Sequence, residues 1–228
     1  MALPEFVITL IGNDTVGKTS IVNRLRYGTY QPHYIYTQGA DKVRIPNFKV
    51  GNDTVSLLIF DTGGHHIQRG IIHKFIDAAD AVIIVYDISK EKSFRKIPEW
   101  IQMTKKRKLQ DVNENSAIGS SPEDDDPLLM IIGNKTDLSA TDVRWSSETS
   151  DNDEPKEIKR SVKENQLRKT AAANNISMYK EVSAKADINI DLTFKSVVEK
   201  LIELRGTSKA LKGNMKESKP WHKFCDIL

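Results

Sequence analysis

The chain has 228 residues, of which 39% are hydrophobic and 29% are charged, a balance typical of a folded protein with a substantial core. Its 34 basic and 31 acidic side chains leave a formal net charge of +3, too balanced for nucleic-acid binding over the whole surface, so we expect no nucleic-acid partner. The single cysteine, Cys225, excludes an intrachain disulfide, and no apolar stretch approaches the roughly 18 residues of a transmembrane helix.

The order of the predicted elements indicates an α/β fold. Short apolar runs predict strands at residues 6–11, 55–60, 81–86, 128–132 and 178–182. Apolar residues at helical spacing predict helices at residues 18–27, 71–79, 93–109, 158–174 and 191–205. Residues 43–50 alternate and are predicted to pair antiparallel with the next strand across a turn at 51–53. This order favours a mostly parallel central sheet with one antiparallel edge strand and helices on both faces.

The pattern predicts one domain over residues 1–206 and a flexible basic tail over residues 207–228. Two polar, acidic stretches, near residues 111–127 and 139–156, interrupt the domain. Neither carries enough apolar side chains to bury a core, so we expect both to be exposed insertions.

Residues 12–19, with the sequence GNDTVGKT, match the phosphate-loop pattern G-x-x-x-x-G-K-[ST] between a predicted strand and a predicted helix. The glycines allow backbone N–H groups to point at phosphate oxygens, and the start of the helix adds partial positive charge. In such a loop Lys18 reaches the β and γ phosphates, and the Thr19 hydroxyl ligates Mg²⁺. The loop alone does not distinguish ATP from GTP, or a switch from a kinase or a motor.

Three further segments follow predicted strands: DTGG at residues 61–64, NKTD at 134–137 and SAK at 183–185. With the phosphate loop, this set resembles the small GTPases of the Ras superfamily in order and position, over residues 6–205 apart from the two insertions. The resemblance implies a P-loop NTPase fold and, as cofactors, GTP or GDP with Mg²⁺.

Asp137 is the candidate for selecting the guanine base. A carboxylate can accept two hydrogen bonds from N1–H and the exocyclic amine of guanine, whereas adenine has no matching pair of donors. The resemblance gives Asp137 this role, with Asn134 and Lys135 bracing the loop and Tyr30 packing against the base. The nucleotide-binding set that it implies is Asp14, Thr15, Val16, Gly17, Lys18, Thr19, Ser20, Tyr30, Tyr34, Thr37, Gly64, Asn134, Lys135, Asp137, Ser183, Ala184 and Lys185.

The resemblance also implies two loops that respond to the nucleotide. The metal-binding set is Thr19, Thr37 and Asp61. Thr37 is expected to bind Mg²⁺ only in the GTP state, and the backbone N–H of Gly64 to contact the γ-phosphate, so that hydrolysis releases both loops. Exchange factors, GTPase-activating proteins and effectors would then distinguish the two states through residues 31–41 and 63–78.

Within the superfamily, the Rab branch is the most similar. The segment YIYTQGAD at residues 34–41 resembles the first switch of Rab proteins. The segment YDI at 86–88, followed by Ser93-Phe94 and Trp100, resembles Rab sequences as well. Three positions depart from the usual Rab pattern, namely Gln38, Lys42 and Phe60.

Two residues predict slow unaided hydrolysis of GTP. The catalytic set implied by the resemblance is Lys18, Gly64 and His65. The family usually carries, at the position of His65, a glutamine that orients the attacking water, whereas an imidazole has its donor and acceptor on different ring edges. Asp14 adds a carboxylate where negative charge builds during transfer. Two alternatives stay open: a nearly inert GTP-binding scaffold, and a P-loop nucleotide kinase, although no arginine-rich lid is evident.

The last four residues, CDIL at 225–228, resemble a prenylation box with Cys225 as the modified residue. Lysines upstream supply a second, electrostatic signal toward anionic lipid. Because residues 1–10 lack the features of a secretory signal, we expect a cytoplasmic protein that lies peripherally on the cytosolic face of a membrane. The alternative is a solvated basic tail with a spare thiol.

Overall fold

The computed structural model describes residues 3–33, 35–64, 69–105, 126–139 and 159–212, with backbone alone at residues 69, 139 and 207–212. Its strands are β1 (Glu5–Ile11), β2 (Ala40–Val50), β3 (Asp53–Thr62), β4 (Ala81–Asp87), β5 (Leu128–Asn134) and β6 (Met178–Glu181). Its α-helices are α1 (Lys18–Tyr27), α2 (Arg69–Ala78), α3 (Glu91–Phe94), α4 (Ile97–Lys105), α5 (Glu164–Ala173) and α6 (Ile190–Lys212), and a 3₁₀ turn covers Thr136–Ser139.

The strands form one sheet in the order β2-β3-β1-β4-β5-β6. Every neighbouring pair is parallel except β2 and β3, which form the antiparallel edge pair. The central strand β4 is buried along its whole length, as expected for a parallel strand covered on both faces. The fold class predicted from the sequence, including its single antiparallel edge strand, is therefore confirmed.

Each face of the sheet carries its own apolar core, because alternate residues of a strand point to opposite faces. Helices α1 and α6 cover one face, where their side chains pack against alternate residues of the strands, such as Ile83 and Val85 of β4. Helices α2, α4 and α5 cover the other face, where they meet Ile84 and Tyr86. The loops at the carboxyl ends of the strands thus stand on a scaffold that is fixed from both sides.

One predicted helix is broken in the structure. The sequence pattern predicts a continuous helix over residues 93–109, but α3 ends at Phe94 and α4 begins at Ile97. Pro98 explains the break, because its ring would clash with the carbonyl group of Phe94 in a continuous helix. Residues 106–109 of the prediction lie outside the described part of the chain.

The bounds of two other helices differ from the prediction. Helix α5 begins at Glu164, not near residue 158, because the backbone N–H groups of Ser161 and Val162 both donate to the carbonyl oxygen of Ile88 at 2.9 Å. Those bonds hold the segment against the end of β4 in a non-helical conformation. Helix α6 continues to Lys212, so the first residues assigned to the tail are helical. None of the described helices is long and apolar enough to cross a membrane.

Candidate functional site

The phosphate loop joins β1 to α1 and is tightly enclosed. Gly17, the N-cap of α1, has a φ of 94°, which favours glycine. A β-carbon at this position would lie 2.3 Å from Nδ2 of Asn134, so a larger residue would clash with the end of β5. The segment GNDTVGKT therefore forms a curled loop that packs directly against Asn134 at the end of β5.

Lys18 extends its buried side chain back under this loop. Its Nζ donates hydrogen bonds of 2.9 Å to the carbonyl oxygens of Gly12 and Asn13. Burial lowers the pKa of Lys18 to about 8, while the negative charges of Asp61 and Asp14 act in the opposite direction. Two of the three ammonium protons thus fix the loop, and the third remains for an anion in front of it.

Three oxygen-bearing side chains meet beside Lys18. Thr19 donates from Oγ1 to Oδ2 of Asp61 at 2.5 Å, and the same hydroxyl lies 3.2 Å from Oγ1 of Thr37. Burial raises the pKa of Asp61 to about 6, and its Oδ1 has no hydrogen-bond partner in the described part of the chain. A hydroxyl pair and an unsatisfied buried carboxylate oxygen fit the oxygen ligands that Mg²⁺ prefers.

Gly64 follows β3 and lies against the phosphate loop. A β-carbon built on it would stand 2.4 Å from the backbone N of Asp14 and 2.6 Å from the backbone O of Asn13. Only a glycine can bring its backbone this close. The loop after β3 and the loop before β2, which carries Thr37, therefore both contact the phosphate loop.

The last residue of β5 and the residue after it hold the other end of the site. The side chain of Asn134 donates to the carbonyl oxygen of Val16 at 2.9 Å and accepts from the backbone N–H of Ala184 at 3.2 Å. Lys135 donates to the carbonyl oxygen of Thr15 at 2.9 Å and pairs with Asp87 at 2.7 Å. These bonds join three loops into one wall, and the bracing role predicted for Asn134 and Lys135 agrees with this geometry.

Asp137 is oriented by a neighbouring hydroxyl. Ser183 donates from Oγ to Oδ1 of Asp137 at 2.6 Å and accepts the backbone N–H of Ala186 at 2.9 Å. Because Ser183 is fully buried, this pair sets the direction of the Asp137 carboxylate. Asp137 itself borders the cavity described next.

One cavity of about 850 Å³ connects these parts. The predicted nucleotide-site residues that line it are Asp14, Thr15, Gly17, Lys18, Thr19, Ser20, Tyr30, Thr37, Gly64, Asn134, Lys135, Asp137, Ala184 and Lys185. The side chains of Val16, Asp61 and Ser183 lie behind this wall, buried, and support it. Tyr34, His65 and Cys225 fall outside the described residues.

The cavity also has lining residues that the sequence analysis missed. They include Asp87, Ser89 and Lys90 at the end of β4 and the segment 159–161 before α5. Asp87 comes at the end of a strongly apolar strand, at the carboxyl edge of the sheet where ligands bind. That position in the sequence could have predicted Asp87 as a lining residue. Residues 159–161 gave none, because Arg160 reaches the wall through its ion pair with Glu181, a tertiary contact.

Comparison with known proteins identifies the class. The sequence model of the Ras family matches residues 7–203, so the chain belongs to the Ras family, whose members are small GTPases. It is 29% identical to Ras-related protein Rab-13 of Bos taurus over 221 residues, which are 97% of this chain and 91% of that protein. It is 30% identical to Ras-related protein Rab-30 of Homo sapiens over 197 residues, or 86% and 80% of the two chains.

A third relative, GTP-binding protein ypt1 of Schizosaccharomyces pombe, is 27% identical over 213 residues, which cover 93% of this chain and 88% of that protein. The two relatives named as Rab proteins match the branch that the sequence motifs indicate. The Rab-like resemblance is therefore confirmed, together with a guanine-nucleotide site as the family's common property.

Proposed function

We propose that this protein is a guanine-nucleotide-dependent switch that binds GTP or GDP with Mg²⁺, hydrolyses GTP slowly when unaided, and acts in membrane traffic or signalling. The observation that carries the proposal is the contact of two separate loops with the phosphate loop. Thr37 meets Thr19, and Gly64 packs on Asn13 and Asp14. A γ-phosphate bound at Lys18 would hold both loops, and its removal would release them.

The base is selected at the opposite end of the cavity. Asp137, oriented by Ser183, accepts from N1–H and the amine of guanine. Tyr30 lines the cavity and packs against the base, while Ala184 and Lys185 complete the pocket. In the same assignment Tyr34 contacts the nucleotide from the loop before β2.

The metal site is formed by Thr19, Thr37 and Asp61. When bound there, Mg²⁺ neutralises phosphate charge. The protein's own contribution is the buried Asp61 carboxylate. Burial raises the pKa of this group and its Oδ1 has no hydrogen-bond partner in the described residues, so a bound cation would stabilise its charged form. Thr37 ties the loop of residues 31–41 to this site.

A direct test of switching is a pull-down with the protein loaded with GDP or with a non-hydrolysable GTP analogue. The family implies exchange factors, GTPase-activating proteins and effectors as partners, and we assign their contacts to residues 31–41 and 63–78. Effectors are expected in the GTP-analogue form and exchange factors in the GDP or nucleotide-free form. An identical set of partners in every form would contradict the switch.

Substitution of Gly64 by alanine is expected to weaken the binding of GTP but not that of GDP. The new methyl group would overlap the Asn13–Asp14 peptide, so the loop must move and its N–H can no longer reach a γ-phosphate. We expect the affinity for a GTP analogue to fall about tenfold or more while GDP binding changes little.

The matched control for this substitution is Gly70→Ala. A β-carbon at Gly70, on α2, would meet no atom within 4 Å, so both affinities should stay unchanged. Equal losses for GDP and the GTP analogue in Gly64→Ala would remove the proposed γ-phosphate role. Fluorescence titration with both nucleotides measures each affinity directly.

Slow hydrolysis is assigned to His65 and Asp14, with Lys18 and Gly64 as the other catalytic groups. Oδ1 of Asp14 is buried without a hydrogen-bond partner in the described residues, and the carboxylate is close enough to act on the charge of Lys18. A negative group here opposes the charge that develops on the transferred phosphate. The same observation favours the second candidate function, a nearly inert GTP-binding scaffold, which a single-turnover assay distinguishes.

Membrane attachment is assigned to the tail. Prenylation of Cys225, supported by the upstream lysines, would hold the protein on the cytosolic face of a membrane. Cys225→Ser is expected to move the protein from the membrane fraction to the cytosolic fraction while leaving GDP affinity unchanged. Mass spectrometry of the native protein provides the independent check, since an unmodified full-length C-terminus would contradict the assignment.

A further inference from the structure

Lys90 lies on the turn after β4 and extends its side chain to the phosphate loop. Its Nζ donates to Oγ1 of Thr15 at 3.2 Å, across 75 residues of sequence. The side chain borders the same cavity as Asp14 and Lys18. An ammonium group other than that of the buried Lys18 therefore stands at the cavity edge, next to Thr15 of the phosphate loop.

The backbone of this turn is held firmly. The N–H of Lys90 donates to the carbonyl oxygen of Asp87 at 3.0 Å, and its own carbonyl oxygen accepts from the N–H of Ser93 at 2.9 Å and from Oγ of Ser93 at 2.7 Å. The Ser93 hydroxyl also accepts the N–H of Asp87 at 3.0 Å. Because the turn is fixed to the end of β4, the backbone from which the Lys90 side chain extends is fixed as well.

Lys90 forms no ion pair with a carboxylate within the described residues. The two carboxylates nearest to it in the sequence are engaged elsewhere. Oε1 of Glu91 pairs with Arg95. Oδ1 of Asp87 accepts two bonds from Ser89, and its Oδ2 forms an ion pair with Lys135. The ammonium group of Lys90 donates to a neutral hydroxyl, that of Thr15. Because this ammonium group borders the cavity at the phosphate loop, the phosphates of a bound nucleotide would be anions of the right charge within its reach.

We propose that Lys90 is a second phosphate-binding cation, which contacts the polyphosphate chain of the nucleotide from the β4 side while Lys18 contacts it from within the loop. The inference rests on the proposed nucleotide site and deepens it. It also gives the Asp14 carboxylate a compensating charge, because Lys90 adds a positive group to the loop that Asp14 makes more negative. Lys90 thus contributes to nucleotide affinity, and the turn at residues 87–93 holds it in the position to do so.

Replacement of Lys90 by glutamine tests the proposal in the full-length protein with Mg²⁺ present. We expect the dissociation constants of GDP and of a non-hydrolysable GTP analogue to rise about tenfold. Lys90→Arg should retain most of the affinity, because a guanidinium keeps the charge and binds phosphate. The matched control is Lys92→Gln, which makes the same charge change at an exposed position on α3 and should leave both constants unchanged.

Salt dependence separates an electrostatic role from a structural one. If Lys90 pairs with phosphate, the loss caused by Lys90→Gln shrinks as ionic strength rises, because screening weakens the wild-type contact. Equal affinities in Lys90→Gln and Lys92→Gln, or a loss that does not depend on salt and is not rescued by arginine, would overturn the inference. Failure of the proposed nucleotide site looks different, since the wild-type protein itself would then bind no guanine nucleotide.

Discussion

Asp137→Asn is expected to weaken the binding of GDP and GTP by about a hundredfold or more. The asparagine side chain replaces one carboxylate oxygen with an NH₂ donor, which would face the amine or N1–H of guanine. A donor placed against a donor in an enclosed pocket loses a hydrogen bond and leaves both groups unsatisfied. The change is isosteric, and Ser183 can still donate to the remaining amide oxygen, so the loss comes from the base contact and not from the fold.

The same substitution predicts a gain that a folding defect cannot produce. Xanthine carries a carbonyl group where guanine carries its amine, so it offers an acceptor to the new NH₂ group and keeps N1–H for the amide oxygen. Asp137→Asn should therefore bind xanthosine diphosphate better than the wild type does. Asp53→Asn, at the exposed first residue of β3, is the matched control and should bind GDP normally. An unaltered GDP affinity in Asp137→Asn would exclude this residue as the base selector.

His65→Gln is expected to increase the single-turnover rate of GTP hydrolysis about tenfold. A glutamine amide accepts from the attacking water and donates to a phosphate oxygen through one flat group, which a neutral imidazole cannot do from one edge. Asp14→Gly should add a further increase, because it removes a carboxylate whose buried Oδ1 has no hydrogen-bond partner in the described residues. Combining the two should give the fastest variant of the series.

The control for the histidine change is His73→Gln, which makes the same substitution at an exposed position of α2. Its hydrolysis rate should equal that of the wild type. If the wild type already hydrolyses GTP as fast as His65→Gln, then His65 does not limit the reaction. If both His65→Gln and Asp14→Gly remain inactive, the scaffold function becomes the better description.

The sheet and the phosphate loop could be predicted because their signals are local. Each of the segments GNDTVGKT, DTGG, NKTD and SAK comes directly after an apolar run and so marks the end of a strand. Parallel strands bring those ends to one edge of the sheet. Pro98 also indicates a helix break, but the apolar residues on both sides of it keep helical spacing, so the sequence pattern predicted one continuous helix. The start of α5 could not be predicted, since it depends on hydrogen bonds from residues 161 and 162 to Ile88, far away in the sequence.

The parts of the site that the sequence did not predict depend on tertiary contacts. Lys90 reads as one of many surface lysines, and only the fold brings it to Thr15. Ser183 was assigned to the pocket, yet it is buried and orients Asp137 from behind the wall. The SAK segment marked Ser183, but its supporting role could not be predicted from that segment, because it depends on a contact with Asp137 across 46 residues of sequence.

The central claim is that the cavity at the phosphate loop selects guanine nucleotides, and competition binding tests it most directly. The protein is loaded with a fluorescent GDP analogue in the presence of Mg²⁺, and GDP, GTP or ATP is then added. We expect GDP and GTP to displace the analogue at comparable, near-stoichiometric concentrations, and ATP to fail even at about a thousandfold excess. Displacement by ATP at the same concentration as GTP would contradict the assignment of Asp137 and of the guanine site.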